Sequence, residues 1–148
     1  MRNVKMALLG LCLIGAGCDN HAPKDAVEVT HASVRLPVVP GRPGAAYFTI
    51  TAGSQAATLE KVTSPRVERV ELHESKTVGG VMQMKALSKV DIPAGGTTTF
   101  EPGGSHAMLF GIDSGLRPGQ TMLLRFHFRQ SPEVDVEAQV HSATDAGH

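Results

Sequence analysis

Two imidazoles and two thioethers, His73, Met84, His106 and Met108, are the residues of this 148-residue chain whose types and spacing could do chemistry. Thioether sulfur is a poor ligand for Zn²⁺, Mg²⁺ or Ca²⁺ but suits Cu(I), and imidazole accepts several transition metals. The set therefore reads as a Cu(I) site. Every donor is neutral and none is a thiol, so the ion would be held without the oxidation hazard a cysteine pair meets outside the cytoplasm. That is chemistry for carrying copper, not for redox catalysis with it. His106 and Met108 lie two apart, so in a strand both project from one face with Ala107 turned to the other. In Val70-Glu71-Leu72-His73-Glu74, Val70 and Leu72 alternate with Glu71 and His73, which puts His73 on a polar face reachable from solvent. Met82 and Met84 also share a face, and on pattern alone either could be the ligand.

The elements that must position these side chains are strands. Short alternating runs broken by glycine and proline are the signature of an all-β sandwich or barrel. The runs fall at residues 27–35, 46–51, 58–62, 69–74, 81–84, 88–92, 97–100, 107–110, 121–128 and 134–140. In the clearest of them Met122, Leu124, Phe126 and Phe128 share one face, while Leu123, Arg125 and His127 share the other. Turns are marked by Pro40-Gly41-Arg42-Pro43-Gly44, Pro93-Ala94-Gly95-Gly96, Pro102-Gly103-Gly104 and Pro118-Gly119, where proline presets φ and glycine allows φ > 0. Residues 27–141 make one β domain of ordinary size, and residues 142–148 read as a flexible C-terminal tail.

Ahead of the domain, Arg2 and Lys5 precede an apolar run from Met6 to Ala16, and small residues follow. Residues 1–17 read as a secretory signal peptide, too short to span a bilayer as a mature helix. Residues 18–26 then form a tether. Cys18 follows Gly15-Ala16-Gly17, where a bacterial lipoprotein signal places the cysteine that takes the lipid, although such signals usually carry leucine at the position of Gly15. Lipidation at Cys18 is the favoured outcome, and plain cleavage to a soluble periplasmic protein is the other. Cys12 falls in the signal, so the mature chain keeps one cysteine and can form no internal disulfide. The expected location is the periplasm, with any membrane contact made through the lipid. Arg2 and Lys5 are two of fourteen basic residues, so twelve remain against fourteen acidic ones, a formal charge of −2. With no basic stripe and one tyrosine, nucleic-acid binding has no electrostatic support.

The chain resembles the PCu(A)C family of periplasmic copper chaperones, whose motif is a histidine, ten residues, a methionine, twenty-one residues, then His-x-Met. His73, Met84, His106 and Met108 fit all four positions. The similarity extends through Ala45-Ala46-Tyr47-Phe48-Thr49-Ile50, Gly80-Val81-Met82-Gln83-Met84, Ile92-Pro93-Ala94-Gly95-Gly96 and the segment Pro102 to Leu109. What the resemblance implies is a cupredoxin-like Greek-key β-barrel holding one Cu(I) at an exposed edge through His73, Met84, His106 and Met108. It selects Met84 over Met82. It also implies a monomeric carrier that passes copper toward the dinuclear copper site of cytochrome c oxidase, or exchanges it with other periplasmic copper chaperones. Copper buffering for resistance would use the same residues. Some relatives have a Met- and His-rich tail that binds Cu(II), whereas this tail offers only His141 and His148.

Competing functions have less support. His73-Glu74 has no second histidine at the spacing of a zinc-protease helix, and no Gly-x-Ser-x-Gly elbow, phosphate loop or dinucleotide fingerprint is present, so no enzyme is expected. A blue-copper electron carrier needs a cysteine thiolate beside its histidines, and Cys18 lies outside the domain. A metal-free β-sandwich interaction module is the remaining alternative. His31 and His127 read as surface or packing groups, and Cys18-Asp19-Asn20-His21 as an adventitious Cu(II) ligand set if Cys18 stays unlipidated.

Overall fold

A computed structural model describes residues 25–145. The signal segment, Cys18, His21, most of the tether and the last three residues, with His148, lie outside the described residues. The chain forms ten strands: β1 (Glu28–Arg35), β2 (Gly44–Thr51), β3 (Ala57–Thr63), β4 (Arg69–Val78), β5 (Val81–Leu87), β6 (Val90–Ile92), β7 (Thr97–Phe100), β8 (Ser105–Phe110), β9 (Thr121–Phe128) and β10 (Val134–His141). All ten expected runs are strands, and no helix occurs among the described residues.

The strands join in the order β5-β4-β8-β2-β1-β10-β9-β3-β6, with β7 added on β2. β1 pairs with β10 in parallel, and the other ladders are antiparallel. β2 changes partner along its length: Gly44–Ala46 pair with β8, and Phe48–Thr51 pair with β7. Its side chains alternate between buried and half-buried throughout, so one face lies in the core and the other forms an outer wall. The core is closed by aromatics from three strands. Phe48 stacks on Phe100 at 4.4 Å between ring centres and meets Phe126 edge-on at 4.8 Å, geometries the ring quadrupoles favour. Met122, Leu124, Phe126 and Phe128 of β9 are all buried, as their alternation predicts.

Two local departures from the simple reading have physical causes. Val29 and Val34 are both buried, yet an odd separation of five would send them to opposite faces of a regular strand. A bulge between Thr30 and Ser33 absorbs the extra residue, and His31 takes the left-handed backbone there at φ 53°. His31 thus serves the strand's geometry. The second departure is in β4 and β5, which run to Val78 and Leu87 instead of stopping at Glu74 and Met84. Gly79 and Gly80, at φ 59° and 81°, close a two-residue turn between Val78 and Val81. That double positive φ is the turn whose twist matches paired strands, so pairing continues to the tip.

Candidate metal centre

Directly opposed residues of an antiparallel pair place their side chains on one face, so register alone defines the surface around the predicted ligands. β4 and β8 oppose Arg69 to Phe110, Glu71 to Met108 and His73 to His106. Between these rungs Leu72 opposes Ala107, and both are buried in the core. The histidines and Met108 therefore lie on the outer face, anchored by apolar neighbours one residue away on the inner face. On its other side β4 opposes Ser75 to Met84 and Thr77 to Met82. Both methionines of β5 share the outer face with His73.

The two imidazoles are neighbours. Their ring centres are 5.9 Å apart and their planes 24° apart. An imidazole nitrogen lies about 1.1 Å from its ring centre and bonds a metal at about 2.0 Å, so two rings on one ion can be at most about 6 Å apart, and a tetrahedral ion would draw them roughly 1 Å closer. The separation is within reach of a shared ion, and the stacked rings must turn to aim their in-plane lone pairs at it.

Hydrogen bonds fix what each ring offers. Nε2 of His73 is 3.1 Å from Glu71 Oε2, and Nδ1 of His106 is 3.1 Å from the carbonyl of Gly104. A carbonyl only accepts, so Nδ1 of His106 carries the proton and Nε2 keeps its lone pair. Likewise an ionised carboxylate only accepts, so Nε2 of His73 is the protonated nitrogen. Its hydrogen bond with His73, followed by those with Arg69, holds the Glu71 carboxyl below its ordinary value. Nδ1 of His73 is buried without a partner. An unpaired buried nitrogen is costly unless something else takes its lone pair, and a soft cation is a group these donors suit. The ring is more covered than its polar strand face suggested, with 14 % of the side chain exposed.

β5 is the end of the sheet path, and its two methionines are open to solvent, Met82 at 65 % and Met84 at 54 %. Met84 stands one rung beyond His73, and Met82 two rungs beyond. Met82 also lines an open groove of about 410 Å³ together with His106, Met108, Ser75, Tyr47 and Arg35. Register thus favours Met84 as the neighbour of His73, while the groove brings Met82 toward His106 and Met108. No cluster of three or more His, Cys, Asp and Glu suited to a metal occurs among the described residues. A metal taken at this face would rely on thioethers.

Sequence reasoning overlooked Glu71 and Gly104. Glu71 carried a signal, since it lies two residues before His73 on the same strand face, and Arg69 lies two before that. The carbonyl of Gly104 carried none, because a backbone acceptor has no residue type to read. The other described histidines stand apart from this face or at its margin. His127 is held by Thr63 Oγ1 at 2.8 Å and Glu133 at 2.7 Å, His31 sits at the β1 bulge beside Thr30, and His141 ends β10 opposite Arg35.

Comparison with known proteins bears on the family and the fold. The sequence profile described as "Putative lipoprotein LpqE-like" matches residues 27–140. The protein named "Putative lipoprotein Lxx21020", from Leifsonia xyli subsp. xyli, is 32% identical over 153 residues, covering 97% of this chain and 89% of that protein. Among solved structures, the copper-bound PCuAC domain from PmoF2 superposes with a TM-score of 0.65 at 20% identity, covering 78% of this chain and 92% of that one. The solution structure of CuI-DR1885 from Deinococcus radiodurans superposes with a TM-score of 0.61 at 30% identity, covering 78% of this chain and 80% of that one. The all-β cupredoxin-like fold expected from the sequence is the fold of these domains.

Proposed function

This chain belongs to the LpqE-like lipoprotein family and has the PCuAC fold, and on that premise we propose that it carries one Cu(I) ion on the outer face of β4, β5 and β8. The ligands are His73, Met84, His106 and Met108. The observation that carries the reading is the register: His73 opposes His106 on one rung, Met108 stands on the rung beside it, and Met84 stands on the rung on the other side. Support comes from the relative described as CuI-DR1885, 30% identical to this chain. Neutral imidazole and thioether donors favour the soft monovalent ion over Zn²⁺.

Exposure sets the order of release. Met84 lies on an edge strand with 54 % of its surface open, so it is the ligand an incoming donor displaces first. His73, with 14 % of its side chain exposed, lets go later than Met84. Stepwise exchange of this kind suits delivery, and no catalytic step is part of the proposal. The receiver is a periplasmic protein that binds copper with ligands of its own, the dinuclear site of cytochrome c oxidase or another copper chaperone. Copper buffering uses the same residues with different partners. The protein works as a monomer outside the cytoplasm, held at the membrane by a lipid on Cys18. Anaerobic titration with Cu(I) against a chromophoric chelator tests the reading: one ion per chain is expected, with weak Zn²⁺ binding. Tight one-to-one Zn²⁺ binding in competition with Cu(I) would overturn it.

A further inference from the structure

We propose that Glu71 is a positioning residue that decides which nitrogen of His73 meets the metal, so that copper binds His73 through Nδ1 and His106 through Nε2. This rests on the Cu(I) reading above and adds the ligand atoms and the residue that selects them. Glu71 uses both oxygens in a fixed chain: Oε1 accepts from Arg69 Nε at 2.7 Å and Oε2 accepts from His73 Nε2 at 3.1 Å. The guanidinium of Arg69 lies over the ring of Phe110, 4.1 Å from its centre, which holds the far end of the chain by a cation–π contact. All four groups stand on the same outer face, and Glu71 opposes Met108 in the ladder. With both oxygens engaged, the carboxylate orients the site without being a ligand itself.

The orientation has a geometric consequence. The two nitrogens of an imidazole cannot both face Glu71, so the hydrogen bond at Nε2 leaves Nδ1 as the nitrogen with a free lone pair. Nδ1 is also the buried nitrogen that no protein group satisfies. In His106 the roles are reversed, because the Gly104 carbonyl takes the Nδ1 proton. The site therefore presents one nitrogen of each kind. A hydrogen bond from the distal N–H to a carboxylate also makes the ligating nitrogen more basic, and outer partners of this kind are typically worth about 10- to 100-fold in metal affinity.

The test is long-range ¹⁵N–¹H correlation of the imidazoles in ¹⁵N-labelled protein, with and without Cu(I). Wild type without copper should show His73 protonated at Nε2 and His106 protonated at Nδ1. Cu(I) should move the Nδ1 resonance of His73 and the Nε2 resonance of His106. Glu71→Leu should let His73 sample the other tautomer and lower Cu(I) affinity by about 10- to 100-fold, while Glu71→Gln, which keeps an acceptor oxygen, should retain the tautomer and lose less affinity. Copper on Nε2 of His73, or a Glu71→Leu protein with unchanged tautomer and affinity, would overturn the proposal while leaving the copper reading intact. Imidazole resonances that ignore Cu(I) altogether would instead sink the copper reading, and the copper-free tautomers would still decide whether Glu71 sets the ring.

Discussion

Replacing Met84 and Met82 in turn by leucine separates two side chains on one face of one strand. Strand spacing of about 4.8 Å and a rise of about 3.3 Å per residue put the Met84 Cα roughly 8 Å from that of His73, and the Met82 Cα roughly 14 Å away. Met84 therefore needs less bending of the hairpin than Met82 to share an ion with His73. Met84→Leu should therefore weaken Cu(I) at least about tenfold, which is about 1.4 kcal/mol, and Met82→Leu should change it by less than about threefold. Both residues are more than half exposed, so leucine should alter folding stability by no more than about 0.5 kcal/mol, a shift of roughly 2–3 °C in Tm for a domain this size. The assay is anaerobic competition with a chromophoric Cu(I) chelator, paired with thermal unfolding of the copper-free proteins. A damaging Met82→Leu beside a silent Met84→Leu would refute the register argument and assign the ligand to the methionine in the groove.

Three further outcomes follow from the same structure. Protons compete with copper for imidazole nitrogen, so Cu(I) affinity should fall on acidification and fall less steeply in His106→Met; competition titrations at stepped pH check it, and a flat wild-type profile would remove the imidazoles from the site. The hydrogen bond from Arg125 holds the Asp135 carboxyl below its ordinary value, so its stabilising contribution is present above the unfolded pKa of about 3.9 and is lost as pH falls through the lower folded value; the urea midpoints of wild type and Asp135→Asn should converge in that acid range, and a gap that widens on acidification would contradict the sign. Phe48 is fully buried and touches the rings of both Phe100 and Phe126, so Phe48→Ala should cost about 3–5 kcal/mol in denaturant unfolding, and a loss below about 1 kcal/mol would mean this aromatic cluster is not the core.

Alternation carried most of the fold to the surface of the sequence, because a half-buried strand writes its burial into every second residue. β9 is the clearest case, with Met122, Leu124, Phe126 and Phe128 all buried where the pattern places them. The bulge at His31 was hidden because an inserted residue breaks the period without any special residue type. The extension of β4 and β5 was hidden because exposed edge strands do not alternate: β5 is exposed at every position but the last. Of the site, the residue types and the shared face of His106 and Met108 were legible, since period two fixes them within one strand. The meeting of His73 with His106 was not, because register between strands thirty residues apart depends on the whole sheet.

X-ray absorption at the copper edge of the Cu(I)-loaded protein tests the central claim most directly. Two nitrogen and two sulfur scatterers around one d¹⁰ ion per chain, with one sulfur lost in Met84→Leu and the other in Met108→Leu, is the predicted result. A first shell of nitrogen and oxygen only, or a sulfur count unchanged by either substitution, would contradict the account.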